Sequence, residues 1–171
     1  MTDLNAIFKP RSVAVIGASR DPGKVGHILV KNMIDTRFPG EIYPVNPNAQ
    51  ELLGLRCFGD IRDVINEMDL AVIAIPAPLV LEAARACGEK GVKALIVISA
   101  GFKETGVEGA ALEKQLLEVC RKYNMRMQGP NCLGAINTSI PLNLSFAASM
   151  PKRGNIGLIS QSGALGTAVL D

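Results

Sequence analysis

The sequence predicts a doubly wound α/β fold on a mainly parallel sheet, and two observations carry that prediction. Four short runs rich in Val and Ile, at residues 12–17 (SVAVIG), 69–76 (DLAVIAIP), 93–99 (KALIVIS) and 155–160 (NIGLIS), are apolar without alternation. Strands buried on both faces read this way, and parallel sheets covered by helices contain such strands. Amphipathic stretches lie between the runs, so strand and helix alternate along the chain as β-α-β units require.

Taken in order, the first run is a strand, and Val25, Ile28, Leu29 and Met33 after it put their apolar side chains on one helical face. Residues 41–45 (EIYPV) predict a weaker strand whose limits are blurred by Pro44. The runs at 69–76 and 93–99 follow. Leu112, Leu116, Val119 and Tyr123 then predict a second crossover helix, and residues 126–128 a short strand. After Gly129 the pattern breaks: residues 129–154 hold turn residues and no sustained period, as a linker would. NIGLIS restarts a strand, and residues 162–171 (SGALGTAVLD) start a helix that stops in mid-pattern. The expected organisation is one domain over 1–145, then a linker and the first β-α unit of a second, truncated α/β domain over 146–171.

Composition removes several function classes. With 48% hydrophobic and 20% charged residues in 171, the chain can bury a full core and is not disordered. The 18 Lys and Arg are nearly matched by 16 Asp and Glu, so no field able to hold a polyanion follows, and nucleic acid is not an expected partner. No apolar run reaches the length of a membrane span, and the N-terminus lacks a signal-peptide profile, so no membrane partner is expected and the cytoplasm is the expected location. Cys57, Cys87, Cys120 and Cys132 form no C-x-x-C pair, and His27 is the single histidine, so neither a zinc site nor a disulfide framework is indicated. The first three cysteines read as core or surface thiols.

The loops after the strands could carry chemistry. Residues 17–26 (GASRDPGKVG) lead from the first strand into the first helix, where free backbone N–H groups and the positive end of a helix dipole favour phosphate. Ser19 adds a hydroxyl and Lys24 a point charge, while Gly17 and Gly26 permit a tight turn and close packing. Asp21-Pro22-Gly23 also reads as a plain turn with an N-cap. A nicotinamide dinucleotide fits poorly: the loop is not G-x-G-x-x-G, and the second strand ends in YPVNPN without the acidic residue that would hold ribose hydroxyls. Asn46 instead offers an amide to adenine or ribose without negative charge, which suits a nucleotide with an extra ribose phosphate, such as coenzyme A. Ile75-Pro76-Ala77-Pro78 makes a stiff apolar lip at the same sheet edge. In Ser99-Ala100-Gly101-Phe102, Gly101 should take a backbone angle that other residues resist, and Phe102 could cover a ligand.

GASRDPGKVG, YPVNPN, IPAPLV, SAGF, GPNCLG and LISQSGALG, in this order and spacing, resemble the coenzyme A binding domain of NDP-forming acyl-CoA synthetases, the ADP-forming acetate–CoA ligases. The α subunit of succinyl-CoA synthetase is a more distant relative. The resemblance spans essentially the whole chain, with GPNCLG followed by SQSG its most specific part. It implies a Rossmann-like first domain followed by a flavodoxin-like second one. It also implies a three-step reaction in which acyl-CoA and phosphate give acyl phosphate, the phosphoryl group passes to a histidine, and a nucleoside diphosphate takes it.

By motif position the resemblance assigns Gly17, Ser19, Lys24, Val25 and Gly26 to the CoA phosphates. Val45, Asn46 and Pro47 would flank the nucleotide, and Ile75, Pro76 and Ala77 the pantetheine arm. Asn131 and Cys132 would lie near the thiol, and Ser160, Gln161, Ser162 and Gly163 would form the helix N-terminus that receives the phosphoryl group. The phosphohistidine is expected beyond Asp171, so no catalytic residue is assigned here, and no metal ligand. The chain is expected to bind CoA without turnover. ATP or ADP with Mg would enter only through an ATP-grasp subunit or fused domain, within an enzyme expected to be oligomeric.

Where succinyl-CoA synthetase has a V-T-P-G-K pattern, this chain has Val45-Asn46-Pro47-Asn48-Ala49, so a lysine beside the nucleotide is missing. Cys132 lacks a basic partner nearby in sequence and is not read as a nucleophile. His27 lies in the first helix rather than the second domain, and reads as a helix-surface or ligand-adjacent imidazole. Ser160-Gln161-Ser162-Gly163 imitates part of a nucleophile elbow, but Ser160 stands where glycine is needed and no triad histidine follows. Two other readings stand beside the ligase: the CoA-sensing, ligase-like region of a protein lysine acetyltransferase, and an NAD(P)-binding module.

Overall fold

The computed structural model describes residues 4–147 and 149–170. The elements run α1 (Asn5–Phe8), β1 (Ser12–Ile16), α2 (Val25–Asp35), β2 (Glu41–Val45), β3 (Glu51–Leu52), β4 (Leu55–Arg56), β5 (Leu70–Ile73), α3 (Ala77–Lys90), β6 (Ala94–Val97) and α4 (Val107–Lys122). Then come β7 (Arg126–Gln128), β8 (Gly134–Asn137), β9 (Leu142–Ser145) and α5 (Gly163–Leu170). Single 3-10 turns at Ile61–Asp63 and Lys103–Thr105 precede β5 and α4.

Five strands pair in the order β2-β1-β5-β6-β7, all parallel. The chain steps from β1 out to β2, then crosses back to the other side of β1, so the order reverses between β1 and β5. Loops leaving those two strands diverge, which opens a crevice outside their carboxyl ends. This is the doubly wound, Rossmann-like α/β architecture that the apolar runs predicted.

The runs lack alternation because both faces of the sheet are covered. Val13 and Val15 of β1 pack with Leu29, Val30 and Met33 of α2, whereas Ala14 and Ile16 pack with Val80, Ala84 and Cys87 of α3 and Leu116 and Val119 of α4. Pro44 is tolerated because β2 is an edge strand, where a missing N–H breaks no second ladder. At the amino end of the sheet, Asp69 accepts from the Arg11 backbone N–H (2.8 Å) and from Lys93 Nζ (2.6 Å).

Two expectations fail. Residues 134–145, read as part of a linker, form the β8–β9 hairpin, which lies against α2 and helps cover one face of the sheet with Ala135, Leu142 and Leu144. The hairpin escaped detection because polar residues share its buried surface: Asn143 and Ser145 are buried and satisfy each other, the Ser145 N–H and hydroxyl both donating to Asn143 Oδ1 (3.1 and 2.7 Å). Asn32 of α2 donates to the carbonyls of Ser145 (2.9 Å) and Ala147 (3.1 Å), which fastens the chain leaving the hairpin to the helix. NIGLIS forms no strand. Ile156 and Ile159 are 97% and 98% exposed; among the described residues no strand lies beside them, and an unpaired strand has no ladder to hold it. No helix among the described residues is long and apolar enough to cross a membrane.

Candidate ligand site at the carboxyl edge of the sheet

The crevice is a cavity of about 750 Å³ between the ends of β1, β2, β5 and β6. Gly17, Ser19, Lys24, Val25, Gly26, Val45, Asn46, Pro47, Ile75 and Pro76 all line it, so segments separated by dozens of residues converge on one volume. Sequence reading missed part of the wall: Asp60 and Ile61 from the 3-10 turn, and Leu79, Ala83 and Ala86 from α3. Ser99 and Ala100 close the β6 side. Small residues spaced three apart on α3 were the available signal, but they read equally as helix packing.

The loop after β1 is built by close approach. Gly17 has φ +90°, and a Cβ there would stand 2.4 Å from the Ala74 carbonyl oxygen. A Cβ on Gly26 would stand 1.9 Å from the Gly17 carbonyl oxygen, so α2 starts pressed against the strand exit. Lys24 occupies the N-cap position in extended conformation, and no side chain caps the helix. The N–H groups of Val25 and Gly26 therefore have no intrahelical acceptor and stand at the positive end of the dipole. Asp21 is spent within the loop, its Oδ1 accepting from the Gly23 N–H (2.9 Å), while Ser19 Oγ accepts from the Asp21 N–H (3.1 Å).

His27 does not sit on the helix surface. It is buried, at 7% exposure, and its Nδ1 lies 2.9 Å from the Ser19 carbonyl oxygen. Asn46 lines the cavity, but its amide is largely occupied by the protein: Nδ2 donates to the Ala18 carbonyl (2.6 Å) and Oδ1 accepts from the Asn48 N–H (2.8 Å). Among the described residues, Lys24 and Asp60 are the charged ones on the wall. The Asp60 carboxyl is held below the usual range chiefly by the hydrogen bonds of Arg62, whose Nε and Nη2 lie 2.9 and 2.7 Å from it. Arg62 also pairs with Glu89 (3.0 Å), so the acid shares its cation, and Lys24 is the cation on the described wall.

The remaining predicted residues lie outside the cavity wall. Ala77 begins α3 and faces Gly101, whose φ of +105° matches the expectation for that glycine. Phe102 does not cover the crevice; it is fully buried against the α3–α4 side of the core. Asn131 donates its N–H to the Ser99 carbonyl (2.9 Å), and Cys132 Sγ lies 3.3 Å from the Val97 carbonyl, which seats GPNC on the end of β6 beside the cavity. Burial pushes the Cys132 thiol up to about 11, the opposite of nucleophile activation. Ser160, Gln161 and Ser162 are exposed before α5, Ser162 Oγ accepts from the Leu165 N–H (3.2 Å), and Gly163 opens the helix.

This geometry suits a phosphorylated ligand with an apolar portion: N–H groups and one lysine at one end, Ile61, Ile75, Pro76 and Leu79 at the other. Residues 11–138 match the CoA binding domain family. The chain is 47% identical over 168 residues to acetate–CoA ligase [ADP-forming] I of Archaeoglobus fulgidus, covering 98% of this chain and 24% of that one. It is 45% identical to the α subunit of acetate–CoA ligase [ADP-forming] II of Pyrococcus furiosus, covering 98% of this chain and 36% of that one. The structure of acetyl-coenzyme A synthetase 1 from Ca. Korarchaeum cryptofilum, in complex with phosphate and ADP, superposes with a TM-score of 0.95 at 42% identity, over 99% of this chain and 36% of that one. The chain thus spans about a quarter to just over a third of these relatives, and it belongs to the CoA binding domain family.

Proposed function

We propose that this chain supplies the CoA-binding portion of an ADP-forming acid–CoA ligase, the whole enzyme interconverting acyl-CoA, phosphate and ADP with acid, CoA and ATP. One observation supports this most: the loop at Gly17, the Lys24–Gly26 helix start, the Val45–Pro47 turn and the Ile75–Pro76 lip share a single cavity at the strand-order reversal.

Coenzyme A fits the residues present. The approach of Gly26 to Gly17 sets the start of α2, with its free N–H groups, on the cavity wall, and among the described residues there the one carboxylate, Asp60, is paired with Arg62. Val25 and Gly26 would bind phosphate through N–H groups, Ser19 through its hydroxyl and Lys24 through charge. The apolar lip at Ile75 and Pro76 would exclude water from the pantetheine arm, with Asn131 and Cys132 near its end. When bound, CoA supplies the thiol that carries the acyl group. The named relatives are ligases, which favours this reading over a regulatory acetyltransferase region.

On this reading residues 1–145 form the CoA-binding unit and residues 146–171 lead into a further ligase domain, with Ser160–Gly163 at the helix end that receives the phosphoryl group. The acid substrate, the phosphorylated histidine, the ATP-grasp partner with its ATP and Mg, the oligomer and a cytoplasmic location belong to the same proposal. Parallel calorimetric titrations with CoA and NADH test it. Saturable binding of CoA and none of NADH is expected, without ligase turnover by the 171-residue chain; binding of NADH alone would overturn the reading.

A further inference from the structure

We infer that His27 is a positioning residue for the loop that meets the CoA phosphates, a role that rests on the CoA reading above. Two consecutive carbonyls of that loop are each held by a side chain from a different element. Asn46, just beyond β2, donates Nδ2–H to the Ala18 carbonyl at 2.6 Å, and His27, on α2, meets the Ser19 carbonyl with Nδ1 at 2.9 Å. A carbonyl only accepts, so Nδ1 carries the proton.

Because a trans peptide is planar, the C=O of one residue and the N–H of the next point in opposite directions. Holding the Ala18 and Ser19 carbonyls therefore fixes the two peptide planes on either side of Ser19, a residue of the cavity wall. The Ser19 hydroxyl accepts from the Asp21 N–H, which leaves its own proton to donate. The first turn of α2 grips the loop twice, with Gly26 against the Gly17 carbonyl and the buried His27 ring on the Ser19 carbonyl. Donors fixed before the ligand arrives cost no ordering entropy on binding, and His27 acts through that saving rather than by touching the ligand.

His27 is the single histidine of the chain, so its ring nitrogens are the only imidazole signals in a ¹⁵N spectrum. Free neutral histidine favours the Nε2–H tautomer; here the Nδ1–H tautomer is expected. CoA titration of His27→Asn, whose amide nitrogen stands where Nδ1 does, should stay within about twofold of the unaltered chain. His27→Gln, which places its amide at the Nε2 position, and His27→Leu should each bind about tenfold more weakly. Equal affinity of all three variants, or equal loss in all three, overturns the proposal. If His27→Leu does not fold, the Asn and Gln pair and the tautomer of the unaltered chain decide it. A chain that binds CoA with an Nε2–H ring overturns the positioning role alone. A chain with an Nδ1–H ring that binds no CoA overturns the CoA reading, and the role with it.

Discussion

Replacing Gly26 with alanine probes the contact on which the cavity is built. The added Cβ would stand 1.9 Å from the Gly17 carbonyl oxygen and 2.7 Å from its carbon, whereas carbon and carbonyl oxygen settle at about 3.3 Å. Relief therefore requires α2 and the β1 exit to separate by about 1.4 Å. Both partners are backbone, so no side chain can swing aside. The shift would be felt along α2, where Leu29, Val30 and Met33 are fully buried against the sheet. Overpacking of this kind costs about 1–3 kcal/mol, and a backbone-to-backbone clash belongs at the upper end. A loss of about 3 kcal/mol lowers the melting temperature by about 6–12 °C in a chain of this size. The same displacement carries the Val25 and Gly26 N–H groups away from the loop, so CoA affinity should fall by about tenfold or more. Gly23→Ala in the same loop is the control: its Cβ would meet only Asp21 Oδ1, at 3.4 Å, and stability should change by less than about 0.5 kcal/mol. Thermal unfolding followed by circular dichroism, with calorimetric titration, reads both quantities. A Gly26→Ala chain that melts and binds like the unaltered one would refute the reasoning.

Lys24→Ala should weaken CoA binding by about tenfold at low ionic strength, and titration in rising salt should shrink the difference as the charge is screened. Asp69 gives an acid limb to stability: burial alone would raise its carboxyl, but the hydrogen bonds of Lys93 and Arg11 outweigh burial and hold it below the ordinary 3.8. The sign follows, since a depressed carboxyl stabilises fully above that value and loses its contribution as pH falls through the folded one. Asp69→Asn should therefore be less stable at neutral pH and show a flatter decline below about pH 4 in urea titrations. Cysteine alkylation should be slow at neutral pH for all four thiols, because burial raises every one of them, Cys120 and Cys132 to about 11; rapid single-site labelling of Cys132 by mass spectrometry would contradict this.

The central strands were legible because burial on both faces leaves a continuous apolar run, and β1, β5 and β6 fall inside three of the four predicted segments. NIGLIS carries a comparable Ile and Leu content and forms no strand, since composition reports fitness for a sheet while a neighbouring strand supplies the hydrogen bonds. The hairpin hid for the converse reason, with Asn143 and Ser145 buried where apolar residues would have advertised a strand. In the cavity, loops that follow strands could be found by position alone. Occupation of the Asn46 amide by the Ala18 carbonyl and the burial of His27 under Ser19 could not, because each depends on a partner from another element. Asp60 shows the same limit in part: its pairing with Arg62 is local, but the sharing of that cation with Glu89 of α3 is not.

The attachment of Asn32 to the end of the hairpin has a mechanical side. Helix α2 has 11 residues, a rod about 16 Å long. One end abuts the glycine loop through Gly26 and His27, and Asn32, two turns along, tethers the chain at Ser145 and Ala147. A helix of this length moves as a stiff lever, so a tug on its first turn reaches that tether without passing through the sheet.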